Sequence, residues 1–288
     1  MPGAEPAPVA GNKGPMNALS GELVSRVLSA ALLAPIAVAA VYLDGIFFAA
    51  FWLIAAIGIW WEWNGLVSGP GHQILLALGT GGLILAMSLA YIGRTRTPML
   101  IVALSALGTG VFAPSARHVW AAGGLLYAGA VLLSSLALRR DPELGFEAMI
   151  FLFAVVWTTD ILAYFSGKAI GGPKLAPAIS PHKTWAGAVG GAAGAVIAGV
   201  AVAKFAGLEN LAAIGVIALA LSISAQLGDL FESAIKRRFG VKDASHLIPG
   251  HGGFMDRLDG YAAAATVAAI FGSLRDGLDA AGQGLLQW

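Results

Sequence analysis

The sequence QLGDLFESAIKRRFGVKDASHLIPGHGGFMDRLDG, residues 226–260, concentrates charge in a chain that is otherwise strongly apolar. It contains two acidic pairs with a spacing of three residues, Asp229 with Glu232 and Asp256 with Asp259. On a helix, each pair would share one face. A basic cluster and a glycine-rich turn lie between the pairs. Carboxylates are preferred ligands of Mg²⁺, and basic side chains and glycine amides bind phosphate. The stretch therefore predicts a site for a metal and a nucleotide phosphate.

The same charges allow a simpler interpretation. A solvated loop between two membrane helices would also be basic, because positive residues fix the orientation of the neighbouring helices. This interpretation explains the lysines and arginines. It gives no reason for four carboxylates beside apolar helix ends.

The composition is typical of a protein that crosses a membrane several times. Of the 288 residues, 58% are hydrophobic and 11% are charged, whereas soluble domains have about 45–50% apolar and 25% charged residues. The mean hydropathy is +0.78. The absence of cysteine excludes disulfides, a thiolate zinc site and a cysteine nucleophile. A net charge of +1 selects no partner by bulk electrostatics, and we expect no nucleic-acid partner.

Nine apolar runs approach the length of about 20 residues that a helix needs to cross a bilayer. They cover residues 26–43, 46–66, 73–92, 98–114, 118–138, 146–166, 185–206, 211–235 and 258–274. We expect an all-α, polytopic integral membrane protein with about nine transmembrane helices. A mobile tail over residues 1–22 would precede N-terminal helices in residues 23–145 and a catalytic region in residues 146–288.

Lysine and arginine indicate the orientation of these helices, because they are enriched in cytoplasmic loops. With a cytoplasmic N-terminus, the loops on that side hold 11 of the 17 basic residues. We therefore expect the active site to lie in a polar cavity at the cytoplasmic side of the inner (plasma) membrane.

Two further polar groups are candidates for the site. Asp160 lies within an apolar run, where it is costly unless it is paired or faces water. It either forms a structural ion pair with Lys168 or Lys183, or faces the substrate. Ser180, Lys183 and Thr184 stand before the seventh run, where free N–H groups at a helix start bind phosphate. N-capping and a cytoplasmic lysine are the alternative.

The packing of two apolar segments has more than one interpretation. Residues 60–63, WWEW, close the second run, and we expect the tryptophans to form an aromatic belt at the membrane interface. Glu62 would either extend to that interface or face the protein interior. Four glycines, Gly187, Gly190, Gly191 and Gly194, predict close helix packing, either inside the fold or at a dimer contact.

The motifs resemble a known family. Ser233-x-x-Lys236-Arg237, Lys242-Asp243 and residues 249–259, PGHGGFMDRLD, are similar in order and type to the signature of the phosphatidate cytidylyltransferases, or CDP-diacylglycerol synthases. Residues 180–187 resemble the family's Ser-Pro-x-Lys-Thr-Trp-Glu-Gly motif, but Ala186 replaces the glutamate, so no carboxylate role is assigned there. The resemblance covers the C-terminal half, and the N-terminal half is similar only in its hydrophobic character.

This resemblance implies that the cytidylyl group of CTP is transferred to phosphatidic acid in a lipid bilayer, which gives CDP-diacylglycerol and pyrophosphate. It implies Mg²⁺, with K⁺ as a candidate second cation, and leaves a homodimer open. The expected metal ligands are Asp229, Glu232, Asp256 and Asp259. The expected catalytic residues are Asp229, Asp256, Lys236 and Arg257. The expected substrate-binding residues are Asp160, Ser180, Lys183, Thr184, Arg237, His251, Gly252 and Gly253.

Two other functions stay open from the sequence. A CTP-dependent kinase or a cytidylyltransferase acting on another membrane lipid would use similar features. A cation transporter would explain carboxylates within the membrane, but it would leave the phosphate-binding features unexplained.

Overall fold

The computed structural model describes residues 31–68, 72–245, 247 and 252–288. In this part of the chain the helices are α1 Ala31–Leu43, α2 Gly45–Ser68, α3 Gln73–Tyr91, α4 Thr97–Phe112, α5 His118–Arg140, α6 Gly145–Ile170, α7 Trp185–Phe205, α8 Leu211–Arg238, α9 Met255–Asp276 and α10 Ala281–Leu286. Two short strands, β1 Lys174–Ala176 and β2 Ser180–Thr184, lie between α6 and α7. The predicted tail and His251 lie outside the described residues.

Six helices in the described ranges are long and apolar enough to cross a membrane, namely α2, α3, α5, α6, α7 and α8. Helices α1 and α4 are apolar but shorter, and α9 carries Asp256 in its first turn and Arg275 in its last. The prediction of a helical, membrane-type protein is therefore confirmed. Each predicted apolar run overlaps one of α1 to α9, and six of these helices meet the length and composition of a membrane span in the described residues. The number of nine spans stays a prediction. The division at residue 145 stays a prediction.

The segment between α6 and α7 is a β-hairpin, which no pattern in the sequence indicated. Strands β1 and β2 are antiparallel, with Lys174 opposite Thr184 and Ala176 opposite Ser180. Prolines within this segment disfavour a helix, so α7 begins only at Trp185. The expected position of Ser180 and Lys183 at a helix start is wrong, because both lie on β2.

The glycines of α7 pack against α6 inside the fold. A side chain at Gly187 would approach the Ala163 carbonyl oxygen to 2.8 Å, and one at Gly191 would approach the Thr159 carbonyl oxygen to 2.7 Å. The two backbones can therefore lie close together only because these positions lack a Cβ. Of the two alternatives for the glycines, packing within the chain is the one observed.

The tryptophans at the end of α2 correct the prediction of an aromatic belt. Trp60 and Trp63 are buried. The Trp60 indole donates to the Leu76 carbonyl at 3.2 Å, and the Trp63 indole donates to the Trp120 carbonyl at 2.8 Å. These two side chains join α2 to α3 and α5, so the belt prediction is wrong for both. Trp61 is 46% exposed and faces outward.

A buried polar contact fixes the middle of α9. The ring of Tyr261 stacks on Trp52 of α2, with 4.5 Å between the centroids. Its hydroxyl lies 2.7 Å from the Ser135 hydroxyl of α5. Both buried groups are satisfied by this contact, which avoids the cost of a buried unpaired hydroxyl. Helices α2, α5 and α9 thus form a common core beneath the charged segment.

Candidate active site

The last turns of α8 and the first turns of α9 bring the two acidic pairs into one region. Asn210 caps the start of α8 by accepting a hydrogen bond from the Ala213 amide at 3.2 Å. The last turn of the helix holds Lys236, Arg237 and Arg238, where positive charge complements the helix dipole. Gly240 follows with φ +75°, a conformation that glycine adopts readily and that ends the helix.

Lys236 lies between two carboxylates. Its Nζ is 2.5 Å from Asp256 Oδ1 and 2.7 Å from Glu232 Oε2. The three side chains are largely buried, with 12%, 7% and 1% of their surface exposed for Lys236, Asp256 and Glu232. The first contact joins α8 to α9, and the second is an i, i+4 contact within α8. Predicted acidic and basic site residues are therefore in direct contact.

Asp256 also organises the backbone before α9. Its Oδ2 accepts hydrogen bonds from the Gly253 amide at 2.8 Å and from the Ala244 amide at 3.1 Å. Gly252 has φ +78°, and a Cβ there would come within 2.7 Å of the Asp256 carboxylate. Glycine is thus required at 252 both by the backbone conformation and by the close carboxylate. The Gly253 amide donates its hydrogen bond to Asp256. Its expected role in holding phosphate therefore stays a prediction.

A second ion pair connects the hairpin to α8. The Lys183 Nζ of β2 contacts Asp229 Oδ2. Asp160 of α6 lies within electrostatic reach of both residues. Lys168, the other partner considered for Asp160, instead lies 5.7 Å from the ring centroid of Tyr164. Sequence-distant residues on α6, β2 and α8 therefore face one region.

Close packing of α8 and α9 places Asp259 beside this ion pair. A Cβ on Gly228 would approach the Asp259 carbonyl oxygen to 2.5 Å and the Ala263 Cβ to 2.7 Å. Asp259 is half-buried, and its Oδ1 accepts a hydrogen bond from the Gly260 amide at 2.7 Å. It lies within electrostatic reach of Asp229 and Glu232. The glycine next to Asp229 is what permits this approach.

The donor set suits a hard cation. Glu232 is 1% exposed; its Oε2 is 2.7 Å from Lys236 Nζ, whereas its buried Oε1 has no hydrogen-bond partner among the described residues. A buried carboxylate oxygen without a donor suits Mg²⁺, which takes oxygen ligands. However, no three carboxylate or imidazole groups in the described ranges converge closely enough to hold a metal by themselves. The predicted ligand set of Asp229, Glu232, Asp256 and Asp259 stays a prediction.

The other expected substrate-binding residues surround this region in different ways. Thr184 is buried, and its Oγ1 accepts a hydrogen bond from the Gly187 amide at 3.1 Å, so its role as the N-cap of α7 is confirmed. Ser180 is half-buried on β2, and Arg257 is exposed in the first turn of α9. Arg237 is exposed, and its Nη1 donates to the Val241 carbonyl at 3.3 Å.

The sequence did not indicate the role of one carboxylate near the site. Glu62 of α2 faces the interior, with 2% of its surface exposed, and accepts hydrogen bonds from Ser245, Phe254 and Met255. The signal in the sequence was an acid at the end of an apolar run. Its partners could not be found there, because they are about 190 residues away.

These features define a helical membrane-type protein with acidic and basic side chains gathered where α6, β2, α8 and α9 meet. The sequence model of the Cytidylyltransferase family matches residues 24–274. The chain belongs to this family.

Three similar proteins share one name, phosphatidate cytidylyltransferase. The protein of Brucella abortus is 40% identical over 255 residues, which cover 88% of this chain and 94% of that protein. The protein of Pseudomonas aeruginosa is 35% identical over 260 residues, covering 86% and 96%. That of Haemophilus influenzae is 33% identical over 283 residues, covering 86% and 98%. The similarity thus extends through the N-terminal half, where motifs alone gave no indication.

Proposed function

We propose that this protein transfers the cytidylyl group of CTP to phosphatidic acid, forming CDP-diacylglycerol and releasing pyrophosphate. One observation carries the proposal: candidate site residues that are separated in the sequence are in contact. Lys183 contacts Asp229, and Lys236 contacts Asp256. Family membership over residues 24–274 and the shared name of the relatives supply the reaction.

The chemistry explains why such a site contains charge rather than a strong base. A phosphate oxygen of the lipid attacks the α-phosphorus of CTP, and the bond from that phosphorus to the bridging oxygen breaks. Pyrophosphate leaves with the electron pair. Because the nucleophile is already an anion, the main barrier is repulsion between anions and the charge that develops on the leaving group. Positioning and electrostatic stabilisation lower this barrier.

The basic residues are the groups that oppose this repulsion. Lys183 and Lys236 lie at the two ion pairs, and Arg257 lies in the first turn of α9, within electrostatic reach of Asp160. With Arg237, they would neutralise the triphosphate and the lipid phosphate. Ser180, Thr184, His251 and the backbone at Gly252 and Gly253 would contact substrate oxygens.

The acidic residues are proposed to hold Mg²⁺. Asp229, Glu232, Asp256 and Asp259 would supply oxygen ligands, which this ion prefers. When bound, Mg²⁺ would offset the negative charge of the substrate phosphates. K⁺ is proposed as a second cation that shares these carboxylates.

We further propose nine spans with the site facing the cytoplasm of a bacterial inner membrane. In that topology the α6–α7 and α8–α9 connections lie on the same side of the membrane. The contact of Lys183 with Asp229 supports this arrangement, since it joins the first connection to the end of α8. Because CTP is available in the cytoplasm, we place these connections on the cytoplasmic side of the membrane. A homodimer stays a prediction.

Product analysis tests the proposed function. The purified protein in mixed detergent–lipid micelles would be given CTP, Mg²⁺ and either phosphatidic acid or diacylglycerol. We expect equal amounts of pyrophosphate and CDP-diacylglycerol from phosphatidic acid, and no product when Mg²⁺ is chelated. Formation of CDP with diacylglycerol would indicate a kinase instead. Pyrophosphate release with a different phosphorylated lipid alone would indicate another cytidylyltransferase.

A further inference from the structure

Glu62 lies outside the motifs that the proposed function uses, yet its carboxylate is directed at the first turn of α9. Oε1 accepts hydrogen bonds from the Phe254 amide at 2.8 Å and from the Ser245 hydroxyl at 2.7 Å. Oε2 accepts one from the Met255 amide at 2.7 Å. Both oxygens are therefore engaged by two residues of the α8–α9 connection and by the first residue of α9.

The start of α9 needs such an acceptor. The first N–H groups of a helix have no partner within the helix. Phe254 is the N-cap residue and has no side-chain acceptor, and the Asp256 carboxylate already takes the Gly253 amide. Glu62 supplies the acceptor from α2, and its negative charge is favourable at the positive end of the helix dipole.

The surrounding residues are shaped to fit this carboxylate. A Cβ on Gly253 would collide with both oxygens of Glu62, so only glycine lets the backbone lie so close. Ser245 lies on the other side, and its Oγ also accepts a hydrogen bond from the Leu247 amide at 3.2 Å. Glu62 is thus a single buried group that holds the chain both after α8 and before α9.

We propose that Glu62 is a positioning residue for the cytidylyl-transfer reaction. It fixes the first turn of α9, and Met255, whose amide it binds, directly precedes Asp256. The fixed turn keeps Asp256 in contact with Lys236 and keeps Asp259 beside α8. Glu62 itself touches no substrate. The link to catalysis rests on the proposed function, whereas the anchoring of α9 does not.

The substitution Glu62→Gln tests this role with little change in volume. A glutamine side chain has one accepting oxygen and one donating NH₂ group, so an N–H donor of the protein would face another donor. Tyr261→Phe is the matched control, because it also removes a buried hydrogen bond of α9, the one to Ser135. That contact joins α9 to α5 and not to Glu62, so we expect its loss to lower stability without releasing the first turn of α9.

We would measure kcat, the KM for CTP and the thermal unfolding midpoint of the full chain in lipid–detergent micelles. For Glu62→Gln we expect kcat to fall by about 10- to 100-fold, the range expected for a misplacement near 1 Å. We expect its unfolding midpoint to fall no further than that of Tyr261→Phe, which keeps the wild-type kcat. A Glu62→Gln protein with the wild-type kcat would overturn the proposal.

Hydrogen exchange of the Phe254 and Met255 amides gives a readout that does not depend on activity. These amides should exchange faster in Glu62→Gln and at the wild-type rate in Tyr261→Phe. Unchanged exchange in Glu62→Gln would overturn the anchoring. If the wild type forms no product from CTP and phosphatidic acid, the proposed function fails, and exchange alone decides whether Glu62 holds α9.

A second variant keeps the test decisive if Glu62→Gln does not fold. Ser245→Ala removes one of the three hydrogen bonds to Glu62 and leaves both backbone contacts in place. It should lower kcat in the same direction but by less, with a wild-type unfolding midpoint. Wild-type kcat in Ser245→Ala, together with unchanged exchange at Phe254, would then overturn the proposal.

Discussion

Lys236 Nζ lies 2.5 Å from Asp256 Oδ1, so an ion pair joins the last turn of α8 to the first turn of α9. The same ammonium group lies 2.7 Å from Glu232 Oε2. One buried lysine therefore separates two carboxylates that would otherwise repel each other. This arrangement makes the site depend on the lysine for both charge balance and geometry.

The first prediction concerns that lysine. Lys236→Met keeps the apolar stem but leaves two buried carboxylates without their cation, and removal of one partner from a buried ion pair costs about 3–5 kcal/mol. We expect a large fall in the free energy of unfolding and loss of activity. Thermal unfolding of the micelle-bound protein measures the loss of stability. Arg238→Met, at an exposed position of the same turn, is the control, and equal effects from both variants would contradict the account.

The second prediction separates substrate binding from stability at the hairpin. Lys183 and Asp229 are 24% and 33% exposed, and ion pairs that are open to solvent contribute about 0–1 kcal/mol. Lys183→Gln should therefore leave the unfolding midpoint nearly unchanged. Because Lys183 is proposed to neutralise a phosphate, kcat/KM for CTP should fall by about 10- to 100-fold.

Lys174→Gln is the control for this prediction, because Lys174 lies on the other strand of the hairpin and is exposed. It should behave like the wild type in both measurements. If Lys183→Gln keeps the wild-type kcat/KM, the hairpin does not contribute a phosphate-binding lysine.

The third prediction tests the close approach of α8 and α9. Gly228→Ala would place a methyl group 2.5 Å from the Asp259 carbonyl oxygen, and such overpacking costs about 1–3 kcal/mol. We expect lower stability and a larger loss of kcat, since Asp229 and Asp259 would be moved apart. Gly123→Ala in α5 meets no atom within 4 Å and should be neutral or stabilising. A fully active Gly228→Ala enzyme would show that this spacing is not needed.

The fourth prediction concerns acid stability far from the site. Asp141, between α5 and α6, is buried. Burial acts to raise its pKa, but hydrogen bonds from the backbone of Leu144, Gln283 and Glu143 outweigh that effect and leave the pKa below its usual value. A carboxylate with a lowered pKa in the folded state stabilises the protein above the unfolded-state pKa of about 3.9. This stabilisation is lost as the pH falls through the folded-state pKa.

Asp141→Asn should therefore unfold at a lower temperature than the wild type at pH 7, and the two midpoints should converge as the solution is acidified below about pH 4. Glu143→Gln, whose side chain is exposed, should follow the wild type at each pH. A constant difference between Asp141→Asn and the wild type over the whole range would contradict the role of this carboxylate.

Much of the helical framework follows from local sequence. Long apolar runs must form helices in a membrane because every backbone group needs a partner there, and runs such as residues 185–206 and 211–235 correspond to α7 and α8. The motif pairing of Lys236 with Glu232 also follows from helical spacing. These features depend on neighbouring residues alone.

Other features depend on contacts between distant segments and could not be predicted. Tryptophans at the end of an apolar run are typical of an aromatic belt, but Trp60 and Trp63 are buried because they contact α3 and α5. The β-hairpin before α7 lacks the apolar alternation that indicates strands. Glu62 has partners 183 to 193 residues away, so its direction could not be read from the end of α2.

A comparison of the wild type with Asp256→Asn tests the reaction and its site together. Both proteins, purified and shown to be folded by thermal unfolding, would be given CTP, phosphatidic acid and Mg²⁺, and pyrophosphate and CDP-diacylglycerol would be measured. We predict that the wild type forms both products in equal amounts and that the folded variant is slower by at least about 100-fold. Absence of product in the wild type would contradict the reaction, and an Asp256→Asn enzyme with the wild-type rate would contradict the site.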